Sequence, residues 1–296
     1  MLSTEIKTVA EKLLNQHFGK PVQVTHTSGV GGGCINDAHR LKTSEGPFFV
    51  KYNSASRYPG MFEAEAKGLL LLRNSNTVYV PEVIGFGEEG ENSFLVLEFI
   101  DSAAQQDDFW FHFGSEMANM HRIIMGQENK GHGLDYDNYI GSLPQQNKWH
   151  ASWIDFFVVE RLEAQLRIAR EQGSAGPDLS QMFQRLYKHL SDFFPEEPPA
   201  LLHGDLWSGN FMIGSDGRAV IIDPAVYYGH RYMDLGMSKL FGGFDSAFYE
   251  AYNEAYPLEP SWRKSMDIAN LYPLMVHVNL FGGGYLSSVK AVLRGF

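Results

Sequence analysis

The chain has 296 residues, 44% of them hydrophobic and 20% charged, with 35 acidic against 24 basic side chains and a formal net charge of −11. That length supports one large or two medium domains with a real core, and the acidic balance argues against broad binding to nucleic acid or anionic membranes. A single cysteine excludes an internal disulfide and a cysteine-built zinc site. The N-terminus has no hydrophobic signal core and no apolar run approaches a membrane span, so a cytoplasmic protein is expected.

In chain order, residues 4–17 read as an amphipathic helix with Ile6, Val9, Ala10, Leu13 and Leu14 on one side. Gly19-Lys20-Pro21 breaks it, and Val22–Thr27 alternates like a strand. Ser28-Gly29-Val30-Gly31-Gly32-Gly33-Cys34 follows, before a second strand near Ala38–Leu41. A strand, a glycine-rich turn and a returning strand can lay backbone N–H groups over ATP phosphates. Alone, such a turn is as readily a flexible connection, since it matches neither G-x-G-x-x-G nor the Walker pattern.

Phe48-Phe49-Val50-Lys51 ends an apolar strand on a lysine suited to α- and β-phosphates. In the helix that follows, Phe62, Glu65, Leu69 and Leu72 share one stripe. Glu65 is then an acid on a buried stripe, where an unpaired charge costs on the order of several kcal/mol. It needs a cation, and Lys51 is the obvious one, giving the kinase Lys–Glu pair. Val78–Ile84 and Phe94–Ile100 read as further strands, and the hinge whose backbone would read adenine is expected at about 98–101, taking in Glu98, Phe99 and Ile100.

Residues 109–124 read as a helix with Met117, Met120, His121 and Ile124 on one face, His121 being a satisfied core histidine. Residues 131–141 form an aromatic, polar loop able to contact ligand, and long helices are expected at about 149–171 and 179–193. Then comes His203-Gly204-Asp205-Leu206-Trp207-Ser208-Gly209-Asn210, leading through Phe211–Ile213, a turn at 214–217 and Ala219–Ile222 into Asp223. That reads as a hairpin with polar residues at its ends. An Asp five residues before an Asn, with another Asp after the next strand, is the spacing of the kinase catalytic set. Transfer of a phosphoryl group to an alcohol needs a carboxylate at the hydroxyl, which suits Asp205. It also needs oxygen ligands for Mg2+, which suits Asn210 and Asp223. Asp234 either caps a helix or holds the catalytic loop by its backbone. Helices broken at Pro257, Pro273 and Gly282-Gly283-Gly284 complete the chain. Strands dominate the first hundred residues and helices the rest, so a two-lobed α+β protein is expected, with lobes at 1–100 and 102–296 and a cleft at their junction.

HGDLWSGN, Asp223-Pro224-Ala225, Tyr228-Gly229-His230-Arg231, Gly31–Asn36, Asp137–Gly141 and Phe281–Leu286 together resemble the fructosamine-3-kinase or ketosamine kinase family, a branch of the aminoglycoside-phosphotransferase-like, protein-kinase-like fold. The resemblance spans the whole chain and departs at Tyr232, where the family usually carries an acid. It implies ATP- and Mg2+-dependent phosphorylation of the third-carbon hydroxyl of a ketosamine, free or on protein lysines, which destabilises the adduct and frees the amine. Ribulosamine or erythrulosamine is then expected over fructosamine. Trp207 and His230 are the expected substrate contacts, with Trp207 stacking on the sugar or attracting a cationic amine. An aminoglycoside- or choline-type kinase and a non-catalytic ATP-binding scaffold are the other readings. Backbone dipoles at the glycine-rich turn would activate Cys34 as a redox candidate. The protein is then a monomer or a homodimer, with a disulfide through Cys34 as one way to link two chains.

Overall fold

The computed structural model describes residues 2–31, 35–123 and 130–296. The chain forms two compact units, one of Met1–Gln106 with Met212–Asp223 and one of Asp107–Phe211 with Pro224–Phe296. The hairpin segment before Asp223 therefore groups with the first hundred residues, whereas the expected division put everything after 101 in the second lobe. The reason is local pairing: Tyr79 bridges Val220, and the Ile221 N–H donates to the Tyr79 carbonyl at 3.0 Å.

The first unit opens with α1 (Thr4–Phe18), capped by the Ser3 hydroxyl, which accepts from the Ile6 N–H, and ended by Gly19 at φ +65°. Five antiparallel strands follow, β1 (Val24–Gly29), β2 (Asp37–Thr43), β3 (Gly46–Ser54), β4 (Val83–Glu89) and β5 (Asn92–Glu98), in the order β1-β2-β3-β5-β4. Ile6, Ala10 and Leu14 of α1 pack on Val24, Leu41, Phe48, Val50 and Val96. Gly85 lets β4 approach α1, since a Cβ there would lie 2.9 Å from Leu13. Helix α2 (Met61–Arg73) buries Phe62, Ala66, Leu69 and Leu72. Of the run Val78–Ile84, expected as one strand, only Val83 and Ile84 enter β4; before them Tyr79 makes an isolated bridge to Val220 and the Glu82 carbonyl accepts from the Glu98 N–H at 2.9 Å, while Pro81 supplies no N–H to a ladder.

The second unit is mainly helical. Helix α3 (Phe109–Arg122) lies along the later α8 (Ser246–Ala255), at a contact close enough that a Cβ on Gly114 would meet the Phe248 carbonyl at 2.1 Å. Two short strands form a hairpin, β6 (Asn138–Ile140) inside the expected ligand loop and β7 (Leu143–Gln145) just after it. The expected helix at 149–171 is α4 (Trp153–Phe156), a π-helical stretch at Phe157–Glu163, and α5 (Ala164–Glu171). Helix α6 (Pro177–Tyr187) starts on a proline, whose missing N–H costs nothing there.

Strand β8 (Ala200–Leu202) pairs with β11 (Tyr227–Gly229), and β9 (Phe211–Ile213) with β10 (Ala219–Ile221). Helix α7 (Tyr232–Met237) follows, and α9 (Trp262–Ala269), α10 (Leu271–Phe281) and α11 (Gly284–Leu293) close the chain. Pro273 does not interrupt a helix as expected; it sits in the first turn of α10, where no N–H donor is required. None of the described helices is long and apolar enough to cross a membrane.

Candidate active site

In the first unit, strand alternation sets the site. Val50 and Val96 face the α1 core, so Lys51 and its register partner Leu95 face the other side of the sheet. Lys51 lies inside β3 rather than at its end, only 4% exposed. Its Nζ is 2.5 Å from a Glu65 carboxylate oxygen and 2.6 Å from Asp223 Oδ1. Burial alone would lower Lys51, but the Asp223 and Glu65 carboxylates outweigh it and hold the ammonium above the ordinary lysine value. With one cation between two carboxylates, burial pushes Glu65 up to about 7 against the pull of Lys51. Asp223 has φ +53°, a left-handed conformation that aspartate tolerates better than most residues, and a half-exposed side chain.

The expected hinge lines a pocket of about 200 Å³ through Glu98, Phe99, Ile100 and Asp101, together with Tyr79, the turn Gly214–Asp216 and Val220. The Glu98 carboxylate is already engaged, accepting from the Tyr79 hydroxyl at 2.8 and 2.9 Å and from the Glu82 N–H at 3.1 Å. Gly31 is exposed at the end of the described β1 side of its turn, while Gly32, Gly33 and Cys34 lie outside the described residues.

In the second unit, the loop from His203 to Asn210 is pinned by its backbone. Asp234, fully buried in the first turn of α7, accepts from the His203 N–H at 2.7 Å and the Gly204 N–H at 2.8 Å. Of the two roles open to Asp234, the structure selects the second, since the α7 N-cap is Arg231, whose side chain makes no capping bond. His121 meets the same carboxylate at 3.1 Å and Tyr252 at 2.8 Å, so it is a bonded core histidine. Gly204, at φ +83°, leaves room for the Ala225 carbonyl, which a Cβ would meet at 2.0 Å. The His203 carbonyl in turn accepts from the Ala225 N–H at 2.9 Å. On this fixed loop the Asn210 amide donates to the Asp205 carbonyl and to Asp205 Oδ2, both at 2.9 Å. The five-residue spacing thus brings the amide onto the carboxylate and aims it.

Trp207 is half-buried and lies edge-on to Phe241, with ring centroids 5.9 Å apart. Phe241 meets His277 at 4.7 Å and Tyr285 at 6.3 Å, and His277 meets Tyr285 at 4.9 Å. Gly209 permits this placement of Trp207, since a Cβ there would stand 2.4 Å from the indole. Phe241 adopts φ +56°, uncommon for a bulky side chain. Sequence reasoning missed Phe241, His277 and Tyr285: they come from separate elements, and no spacing in the chain links them to Trp207. His277 Nδ1 lies 2.7 Å from the Pro273 carbonyl, so that nitrogen carries the proton, and burial lowers the ring's pKa. In its neutral form the ring then carries its lone pair on Nε2.

His230, an expected substrate contact, is instead enclosed. It is 2% exposed, packs on Trp153, Phe194 and Tyr232, and bonds to the Pro195 carbonyl at 3.2 Å. Its Nδ1 accepts from the Tyr232 N–H at 3.2 Å, and burial drives its pKa down to about 3. His230 thus ties the start of α7 to the loop before β8. Tyr232, where an acid is usual, is buried against that imidazole.

The fructosamine kinase family model matches residues 6–296. A probable ketoamine kinase of Synechocystis sp. is 39% identical over 97% of this chain and 95% of its own. The chloroplastic protein-ribulosamine 3-kinase of Arabidopsis thaliana is 40% identical over 94% of this chain and 84% of its own. A crystal structure of a fructosamine-3-kinase homologue from Haemophilus somnus superposes with a TM-score of 0.86 at 32% identity, covering 96% of this chain and 95% of that one. An aminoglycoside phosphotransferase shares the kinase-like fold alone, at 16% identity and a TM-score of 0.62, over 97% of this chain and 98% of that one. With a strand-rich first unit, a helical second unit and a pinned Asp–Asn loop, the chain is a kinase that belongs to the fructosamine kinase family.

Proposed function

We propose that the protein uses ATP with Mg2+ to phosphorylate the third-carbon hydroxyl of a ketosamine, ribulosamine or erythrulosamine before fructosamine, free or on a protein lysine. The observation that carries this reading is the Asp205–Asn210 pair on a loop whose next side chain outward, Trp207, joins an aromatic cluster. Such a cluster suits a sugar's C–H face and a protonated amine, the two halves of a ketosamine. The family likeness and the ribulosamine 3-kinase relative support the same substrate class.

Asp205, oriented by Asn210, accepts the proton of the attacking hydroxyl. His277, in its neutral form with an open lone pair, accepts from a second sugar hydroxyl. Lys51 meets the α- and β-phosphates and Glu65 fixes it there; Gly31, Gly32 and Gly33 offer backbone N–H groups to the phosphates, and Glu98–Ile100 read adenine by their backbone. The Asp223 carboxylate and the Asn210 amide oxygen are hard donors of the kind Mg2+ prefers, and a half-exposed Asp223 fits that task. Held there, Mg2+ would supply charge neutralisation for the transferring phosphoryl group. With Asp223 holding the metal, Lys51 would be available to the nucleotide phosphates. Phosphorylation of the ketosamine makes it a substrate for spontaneous loss of the sugar, a deglycation step. The test is turnover with ATP across ribulosamine, erythrulosamine, fructosamine, aminoglycosides and choline. Ketosamine turnover at least tenfold above the rest in kcat/KM is expected; preference for an aminoglycoside or choline would overturn the reading.

A further inference from the structure

A second pocket lies in the helical unit, apart from the Trp207 cluster. It has a volume of about 400 Å³ and is lined by Lys239, Phe244, Ser246, Tyr249, Glu250, Asn253, Trp262 and Arg263. One wall is aromatic, with the Tyr249 and Trp262 rings stacked at 5.9 Å and 27°. Two exposed cations stand on that wall. Lys239 Nζ is 5.2 Å from the Trp262 ring centroid and 5.5 Å from that of Tyr249, and the Arg263 guanidinium is 4.7 Å from that of Trp262. Among the described residues neither cation forms an ion pair, although the chain carries 35 acids against 24 bases. Glu250 is the only acid in the lining, so the pocket is a local positive site on an acidic protein.

The pocket's chemistry selects its occupant. Two cations match a dianionic phosphate better than a single carboxylate, with arginine able to bind it bidentately. An aromatic wall suits the C–H face of a sugar ring. The Glu250 carboxylate and Asn253 amide offer the acceptors and donors that sugar hydroxyls use. The Asn253 oxygen already accepts from the Leu258 N–H, which leaves its NH2 as the available end. The N-terminal end of α8 adds little, because Asp245 already caps the Ala247 N–H, so the side-chain cations must hold the anion.

The segment Lys239–Phe244 separates this pocket from the acceptor cluster. Lys239 and Phe244 line the pocket while Phe241, between them, faces Trp207. Three left-handed residues in a row, Phe241 at φ +56°, Gly242 at +108° and Gly243 at +72°, let the chain present side chains to both.

We propose that this pocket is a binding site for a phosphorylated sugar, with Lys239 and Arg263 on the phosphate and the Tyr249–Trp262 wall under the sugar. The claim is independent of which alcohol Asp205 serves.

Calorimetric titration of the intact protein tests it, with glucose 6-phosphate as the probe and glucose and inorganic phosphate as partial probes. Glucose 6-phosphate should bind roughly tenfold or more tightly than either partial probe, and the Lys239→Gln/Arg263→Gln double variant should lose about tenfold or more. Both positions are exposed, and circular dichroism checks that the double variant is folded. Trp207→Ala should leave this binding unchanged. The proposal is overturned if glucose 6-phosphate does not bind, if the double variant binds it equally well, if inorganic phosphate binds as tightly, or if Trp207→Ala abolishes binding and so places the ligand on the acceptor cluster.

Discussion

Lys51 sits buried between two carboxylates, and replacing it removes the one cation paired with Glu65 among the described residues. Lys51→Met should cost about 3–5 kcal/mol of stability in denaturant melts. Lys51→Met/Glu65→Leu should recover much of that loss without recovering turnover, because the apolar pair restores packing and not the phosphate contact. The buried histidines titrate with the opposite logic. Burial depresses His230 to about 3 and His132 to about 4, against an ordinary value near 6.5. A depressed folded value means the stability they contribute is full above about pH 6.5 and falls as pH drops toward 4 and 3, by at most about 1.4 kcal/mol per pH unit for each. Glu65, raised to about 7, works the other way: its contribution is full below its ordinary value near 4.5 and is lost as pH rises through 7. Wild type and His230→Phe, compared from pH 7 to 4 by urea denaturation, isolate the histidine. The variant should show the shallower loss, and equal slopes would remove His230 as a source of acid lability.

Among elements, the loop from β8 to β9 is held at three points: by Asp234, by Ala225 and by the Asn210 amide on Asp205. Gly209→Ala would drive a methyl into the indole of Trp207. The expected result is an acceptor KM raised roughly tenfold with ATP KM unchanged; a shift in ATP KM instead would place Trp207 outside the acceptor site. The β3–α2 pairing was legible in the sequence because a helical period marked an acid that burial would not leave unpaired. Helical spacing put Glu65 on the buried stripe, so the charge required a partner, and the lysine at the expected strand end, Lys51, was at hand; that strand runs on to Ser54. The catalytic spacing from Asp205 to Asn210 was legible too, being local. Strands β6, β7, β8 and β11 were not, since three residues carry no readable period. The apolar run around Tyr79 misled because hydrophobicity alone does not report a missing proline N–H. The Phe241–His277–Tyr285 cluster was hidden because only packing brings those residues to Trp207. His230 misled in the opposite sense, as a motif histidine whose job is internal.

For the whole molecule, the account divides labour between a nucleotide set in the first unit and an acceptor set in the second. ATP with Mg2+ should raise the melting temperature by several degrees at about a hundredfold excess over Kd, the equivalent of about 2.7 kcal/mol. Asp223→Ala should remove the part of that rise that depends on Mg2+, while Asp205→Asn should keep it; an undiminished Mg2+-dependent rise in Asp223→Ala would assign the metal to other ligands. The most direct measurement follows the phosphate itself. Wild-type protein and Asp205→Asn are incubated with ATP, Mg2+ and a ribulosamine of lysine, and the product is read by phosphorus-to-carbon correlated NMR. The account predicts phosphate on the third-carbon oxygen with wild type, and at least about a hundredfold slower formation with Asp205→Asn despite unchanged ATP binding. Phosphate on another oxygen, no phosphorylated ketosamine from the wild type, or near-normal turnover by Asp205→Asn would contradict it.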